Sequence, residues 1–201
     1  MQAFRLFASP WWVNLLVLVP ALAYLVWRRR GLELSPAQLL PAALFAAAFG
    51  FVEGAVVIYL RAATGLLPGY QGTLAEVARL SSEMYRQTQA VGQLPPSLLA
   101  VEVGREAATL LMLVSVALLG ARVARERCAL FLWCFAIWDL AYYGSLWATV
   151  RWPASLRDTD VLFLIPVPWL SQVWFPLVVD LLALLAVLLA RRKSRGNLRE
   201  Y

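Results

Sequence analysis

The chain has 201 residues, 62% of them hydrophobic, and a net charge of +6. Soluble domains are nearer 45–50% apolar, and here the excess lies in long runs, which points to a membrane. The basic residues sit at the ends of those runs, where membrane insertion requires them, so nucleic acid is excluded as a partner.

Five apolar segments follow one another, at about 11–27, 37–60, 98–120, 129–150 and 169–190. Each is close to the ~20 residues that cross a bilayer as a helix. The first contains Pro20, which predicts a kink. The second opens with Ser35-Pro36-Ala37-Gln38, which reads as a cap, a proline at the first helical position and a capping-box glutamine. Residues 61–97 contain Thr73-Leu74-Ala75-Glu76, a second capping box. Leu74, Val77, Ala78, Met84 and Tyr85 then share a face, which predicts a short amphipathic helix lying on the membrane surface. The third segment is entered through Pro95-Pro96-Ser97. Between the fourth and fifth, the apolar stretch 161–168 is expected to dip into the interface or pack on the helices. The fifth carries Pro176 in its first turns. The expected fold is all-α, a single transmembrane domain over 1–201 built as a bundle of five helices.

Lysine and arginine counts orient the bundle. Arg28, Arg29, Arg30, Arg122, Arg125, Arg127, Arg191, Arg192, Lys193, Arg195 and Arg199 fall on one side, and Arg5, Arg61, Arg79, Arg86, Arg151 and Arg157 on the other. The larger group marks the cytoplasm, which puts the N-terminus outside and the C-terminus inside. Arg28-Arg29-Arg30 follows the first apolar run instead of preceding it, so that run is expected to stay as a helix and not to be cleaved as a signal.

Several reaction classes are closed by composition. The chain has no histidine, which removes His-ligated haem, His-based zinc and a Ser-His-Asp triad. Lys193 in the tail is the only lysine, which removes a retinal Schiff base. Cys128 and Cys134 lie on different faces of one helix and cannot bridge each other.

Ionisable residues inside the apolar segments carry the functional signal. Each costs about 2.5–3.5 kcal/mol or more in a membrane and must find a partner inside the bundle. Glu53 is flanked by Gly50 and Gly54, a spacing that lets helices approach closely. Glu102, Arg105, Glu106 and Thr109 form one stripe at i, i+3, i+4, i+7. Asp139, Tyr142, Tyr143 and Trp147 form another. With the topology above, these residues gather in the outer half of the bundle. Asp160 stands near the mouth of that site, in a turn with Asp158, and Asp180 is a lone acid on the fifth segment. The acids outnumber Arg105, so some must share protons or bind a cation. Glu53, Glu106 and Asp139 are a candidate oxygen-ligand set for Mg²⁺, Ca²⁺ or Mn²⁺. A purely structural alternative, in which Arg105 holds the helices in register, uses the same residues.

Three stretches carry a resemblance. Residues 51–61 read FVEGAVVIYLR, residues 105–110 read REAATL, and residues 138–143, WDLAYY, lead on to DVLFLIPVPW at 160–169. Together they resemble a family of uncharacterised bacterial polytopic membrane proteins. The resemblance implies a bacterial inner-membrane location and a shared pattern of polar positions. It implies no activity.

Three functions fit these readings. The first is a buried acidic and arginine site that binds, or acts on, a cation or lipid-like ligand. The second is a non-catalytic accessory subunit or assembly factor docking on other membrane subunits. The third is a proton- or cation-coupled transporter, for which five helices without an internal repeat leave little room. The bilayer is a partner in all three.

Overall fold

The computed structural model describes residues 4–63 and 96–197. The amphipathic helix expected within 61–97, from Thr73 to Arg86, lies outside the described residues. The chain enters through a 3-10 turn, Trp11–Val17, that continues into α1, Leu18–Arg30. Then come α2, Pro36–Ala63, α3, Pro96–Gly120, and α4, Ala124–Val150. Strands β1, Thr159–Phe163, and β2, Trp169–Gln172, precede α5, Trp174–Asn197. Among the described residues, five helical stretches are long and apolar enough to cross a membrane. Their outer faces are apolar as well, with Leu119 88% exposed and Leu22, Leu44 and Leu111 also bare. Such faces are stable only against lipid, and the chain is a multi-pass membrane protein.

Local chemistry explains the boundaries. The Gln38 side chain accepts from Ser35 N at 3.0 Å, as the capping box predicts. Its Nε2 also donates to the Gly120 carbonyl at 2.7 Å, tying the start of α2 to the end of α3. Pro20 sits in the first turn of α1, just past the change from 3-10 to α geometry. An amide is dispensable there. Gly31 ends α1 at φ 70°, a backbone angle natural to glycine, and Arg28, Arg29 and Arg30 face the negative end of the α1 dipole.

Two expectations are corrected. The fold is not all-α, because 159–172 forms an antiparallel hairpin that pairs Asp160 with Ser171 and Val161 with Leu170. Ser9 extends it through two backbone bonds to Leu170, of 2.8 and 2.7 Å. The fifth helix therefore starts at Trp174 and not near 169. Pro166 and Pro168 forbid a helical run through the connection, and the β-branched and aromatic residues around them suit strands.

The helices pack as an arc. Helix α1 lies on α5, α5 on α4, and α4 on both α2 and α3. The α2–α4 seam is the most extensive, and Ala42, Ala46, Gly50 and Gly54 line it at four-residue spacing. A Cβ on Gly50 would fall 2.3 Å from the Trp138 carbonyl oxygen, and one on Gly54 2.3 Å from Ser145 Oγ. The backbones meet here because no side chain stands between them. Helices α1 and α3, at the ends of the arc, share no extended contact, and the hairpin covers one end of the space they leave.

Candidate functional site: an acid-lined aromatic cavity

A cavity of ≈ 340 Å³ fills the concave side of the arc. Leu16, Val19 and Pro20 line it from the α1 side, and Arg105, Glu106, Thr109 and Leu110 from α3. The small-residue seam brings Glu53 to its edge. Glu53 is 4% exposed, forms an ion pair with Arg105, and accepts from Thr109 Oγ1 at 3.2 and 3.0 Å. Arg105 Nε donates to Glu102 at 2.8 Å. One guanidinium thus serves two carboxylates, one on its own helix and one on α2. Two oxygens and several fixed donors make such a buried pair tolerable in lipid.

The second pole of the site joins α3 to the hairpin. Leu164 N, in the turn between β1 and β2, donates to Glu106 Oε2 at 2.8 Å. Tyr143 OH donates to Asp160 Oδ2 at 2.8 Å, fixing β1 on α4. Asp158 has a different task. Its Oδ2 accepts from Ala154 N and Ser155 N at 2.9 and 3.2 Å, which closes the loop after α4. Glu106→Ala frees a half-buried amide and is expected to cost about 1 kcal/mol. The check is hydrogen exchange, with faster exchange expected at Leu164 in that variant and near-normal protection in Glu106→Gln, which keeps an acceptor.

The third pole is a carboxyl pair. Asp139 on α4 and Asp180 on α5 face each other across the α4–α5 contact and interact. Asp180 is 1% exposed and Asp139 is half-buried, and both line the cavity. Asp180 Oδ2 has no hydrogen-bond partner among the described residues.

Aromatic rings make most of the remaining wall. Phe135, Trp138, Tyr142 and Tyr143 descend α4 in contact, with centroids 5.5, 6.3 and 5.4 Å apart. Phe163 of β1 lies 6.3 Å from Phe135 and 5.4 Å from Trp169 of β2.

The candidate residues thus fall into place individually. Glu53, Arg105, Glu106, Asp139, Tyr142, Tyr143 and Asp160 all line the cavity, and Glu102 reaches it through Arg105. Trp147 leaves the predicted α4 stripe: it is 55% exposed, with the Arg151 guanidinium 5.0 Å from its ring centre. Its position one further turn along α4 carries it past the cavity to the helix end. The trio Glu53, Glu106 and Asp139 is not assembled as a metal site, and no three metal-ligating side chains cluster among the described residues. Arg105, Thr109 and the Leu164 amide already occupy the first two carboxylates. In the sequence Asp180 stands as a lone acid. Its pairing with Asp139 depends on how α4 and α5 pack, which no local pattern encodes.

Comparison with protein-family models, with curated proteins and with solved structures finds no match to this chain.

Proposed function

We propose that this is a bacterial inner-membrane protein, N-terminus outside and C-terminus in the cytoplasm, whose cavity binds a lipid-like ligand. The orientation rests on the arginine asymmetry, and the location on the FVEGAVVIYLR, REAATL, WDLAYY and DVLFLIPVPW stretches. The observation that carries the ligand reading is the convergence of five helices and the hairpin on one cavity that is apolar over most of its wall and polar at three fixed points. Small-molecule sites have this composition: broad apolar surface for affinity and a few polar groups for orientation. A volume of ≈ 340 Å³ lies at the lower end of the ~300–1,000 Å³ such sites span.

Native mass spectrometry of protein extracted in mild detergent tests this reading. The expected result is a bound amphiphile on the wild type that is lost in Ala183→Phe, because Ala183 lines the cavity and a phenyl ring there fills it. If the wild type and the variant each show only the mass of the bare chain after gentle extraction, the site is not there.

A further inference from the structure

Resting on that cavity reading, we propose that the head of the ligand is neutral and hydroxylated, a polyol or glycosyl group held by Glu106 and Arg105 against the aromatic wall. Glu106 is 7% exposed and lines the cavity. Its Oε2 accepts from the Leu164 amide, while its Oε1 has no hydrogen-bond partner among the described residues. A carboxylate oxygen in apolar surroundings is costly without a donor. A head that enters the cavity and donates there satisfies it.

Bonding direction selects the kind of head. Arg105, the preceding residue of α3, lines the same cavity with its side chain 25% exposed. Its Nη1 pairs with Glu53 and its Nε with Glu102, and Nη2 enters neither pair. An ionised carboxyl only accepts and a guanidinium only donates, whereas a hydroxyl does both. Neighbouring hydroxyls therefore serve Glu106 and Arg105 at once. An ammonium head has donors for Glu106 but no acceptor for Arg105. A carboxylate head has acceptors for Arg105 but no donor for Glu106. A charged head also loses its water on entering an apolar cavity, at far greater cost than a hydroxyl does.

The rings supply a platform beside these groups. Phe163 directly precedes the amide that Glu106 holds, and its ring centre lies 6.3 Å from Phe135, 6.5 Å from Trp138 and 5.4 Å from Trp169. The C–H face of a sugar ring carries positive partial charge and packs on the negative face of an aromatic ring. The tail has a direction as well. From Arg105 and Glu106 the wall continues along α3 to Leu110, and from Tyr143 along α4 to Leu132 and Phe131, about three helical turns away. An alkyl chain attached to the head follows that apolar strip.

The test uses the full chain in amphipol and four probes that share a ten-carbon tail: decyl glucoside, decanol, decylammonium and decanoate. Binding is read by calorimetry. The expected result is saturable binding of decyl glucoside, tighter than that of the other three. Glu106→Gln keeps an acceptor for the Leu164 amide but replaces the second oxygen with a donor. It weakens decyl glucoside roughly tenfold, as loss of a hydrogen bond to a charged group does. Exchange protection at Leu164 stays near wild type in that variant, which separates a lost head contact from a displaced hairpin. Phe163→Leu weakens decyl glucoside roughly two- to tenfold, the range of an aromatic contact. Equal or tighter binding of decanol overturns the polyol head, and equal or tighter binding of decylammonium or decanoate overturns the neutral head. Each of these leaves an amphiphile site in place. Unchanged binding of decyl glucoside by Glu106→Gln also overturns the assignment. No saturable binding of any of the four overturns both readings.

Discussion

Arg105→Ala is expected to destabilise the protein by about 3–5 kcal/mol, the cost of leaving a buried carboxylate without its partner. Two acids lose their cation at once. Glu53 keeps Thr109, whose single hydroxyl bridges both its oxygens but brings no charge. Glu102 loses the Arg105 Nε donor. Arg105→Lys recovers only part of the loss, because an ammonium is a point charge and cannot span Glu53 and Glu102 as a planar fork does. The measurement is unfolding in detergent, followed by tryptophan fluorescence. It is best made as a double-mutant cycle with Glu53→Gln, since a neutral residue at position 53 removes the stranded charge. The double variant should be more stable than Arg105→Ala alone. Equal stability of the two would mean that the pair does not bear on folding.

Gly50→Val is expected to separate α2 from α4. The first side-chain atom already falls 2.3 Å from a main-chain oxygen, that of Trp138, and 2.9 Å from Ala141 Cβ. Main chain cannot rotate aside as a flexible side chain does, so the helices must part. Overpacking of this kind costs about 1–3 kcal/mol for added methylenes. The branched valine adds two more atoms at the same point, so the loss should reach or pass the top of that range. The effect reaches the site, because Glu53 lies three residues on from Gly50 and its distance from Arg105 depends on the same seam. Gly104→Ala is the matched control. Nothing stands within 4 Å of its Cβ direction, and alanine in a helix is favoured over glycine by up to about 1 kcal/mol. Thermal unfolding of the two variants beside the wild type gives the comparison. A Gly50 variant as stable as the Gly104 variant would contradict the close contact.

Much of the site could be read from spacing alone. Glu102, Arg105, Glu106 and Thr109 share a helix face because 3.6 residues make a turn, and three of the four line the cavity, with Glu102 reaching it through Arg105. Gly50 and Gly54 announced a close helix contact beside Glu53, and the seam extends further, to Ala42 and Ala46. The start of α2 was legible from Ser35, Pro36 and Gln38, because caps are satisfied within a few residues of chain. The hairpin was not legible as such. An apolar run of eight residues suits a strand, a buried helix turn or an interfacial loop equally, and only the backbone pairing with Ser9 and β2 selects the strand.

What the amino-acid order determined by itself is everything that depends on local periodicity and transfer to lipid. It set the number of apolar helices, most of their ends, and the polar face that each of α3 and α4 turns inward. What only the tertiary structure decided are the pairings between distant segments: Glu53 with Arg105, Asp139 with Asp180, Tyr143 with Asp160, and Glu106 with the Leu164 amide. A buried charge in lipid must be matched, and that requirement is visible in sequence. The identity of the match is set by helix order and register across the bundle, and those come from packing summed over the whole fold.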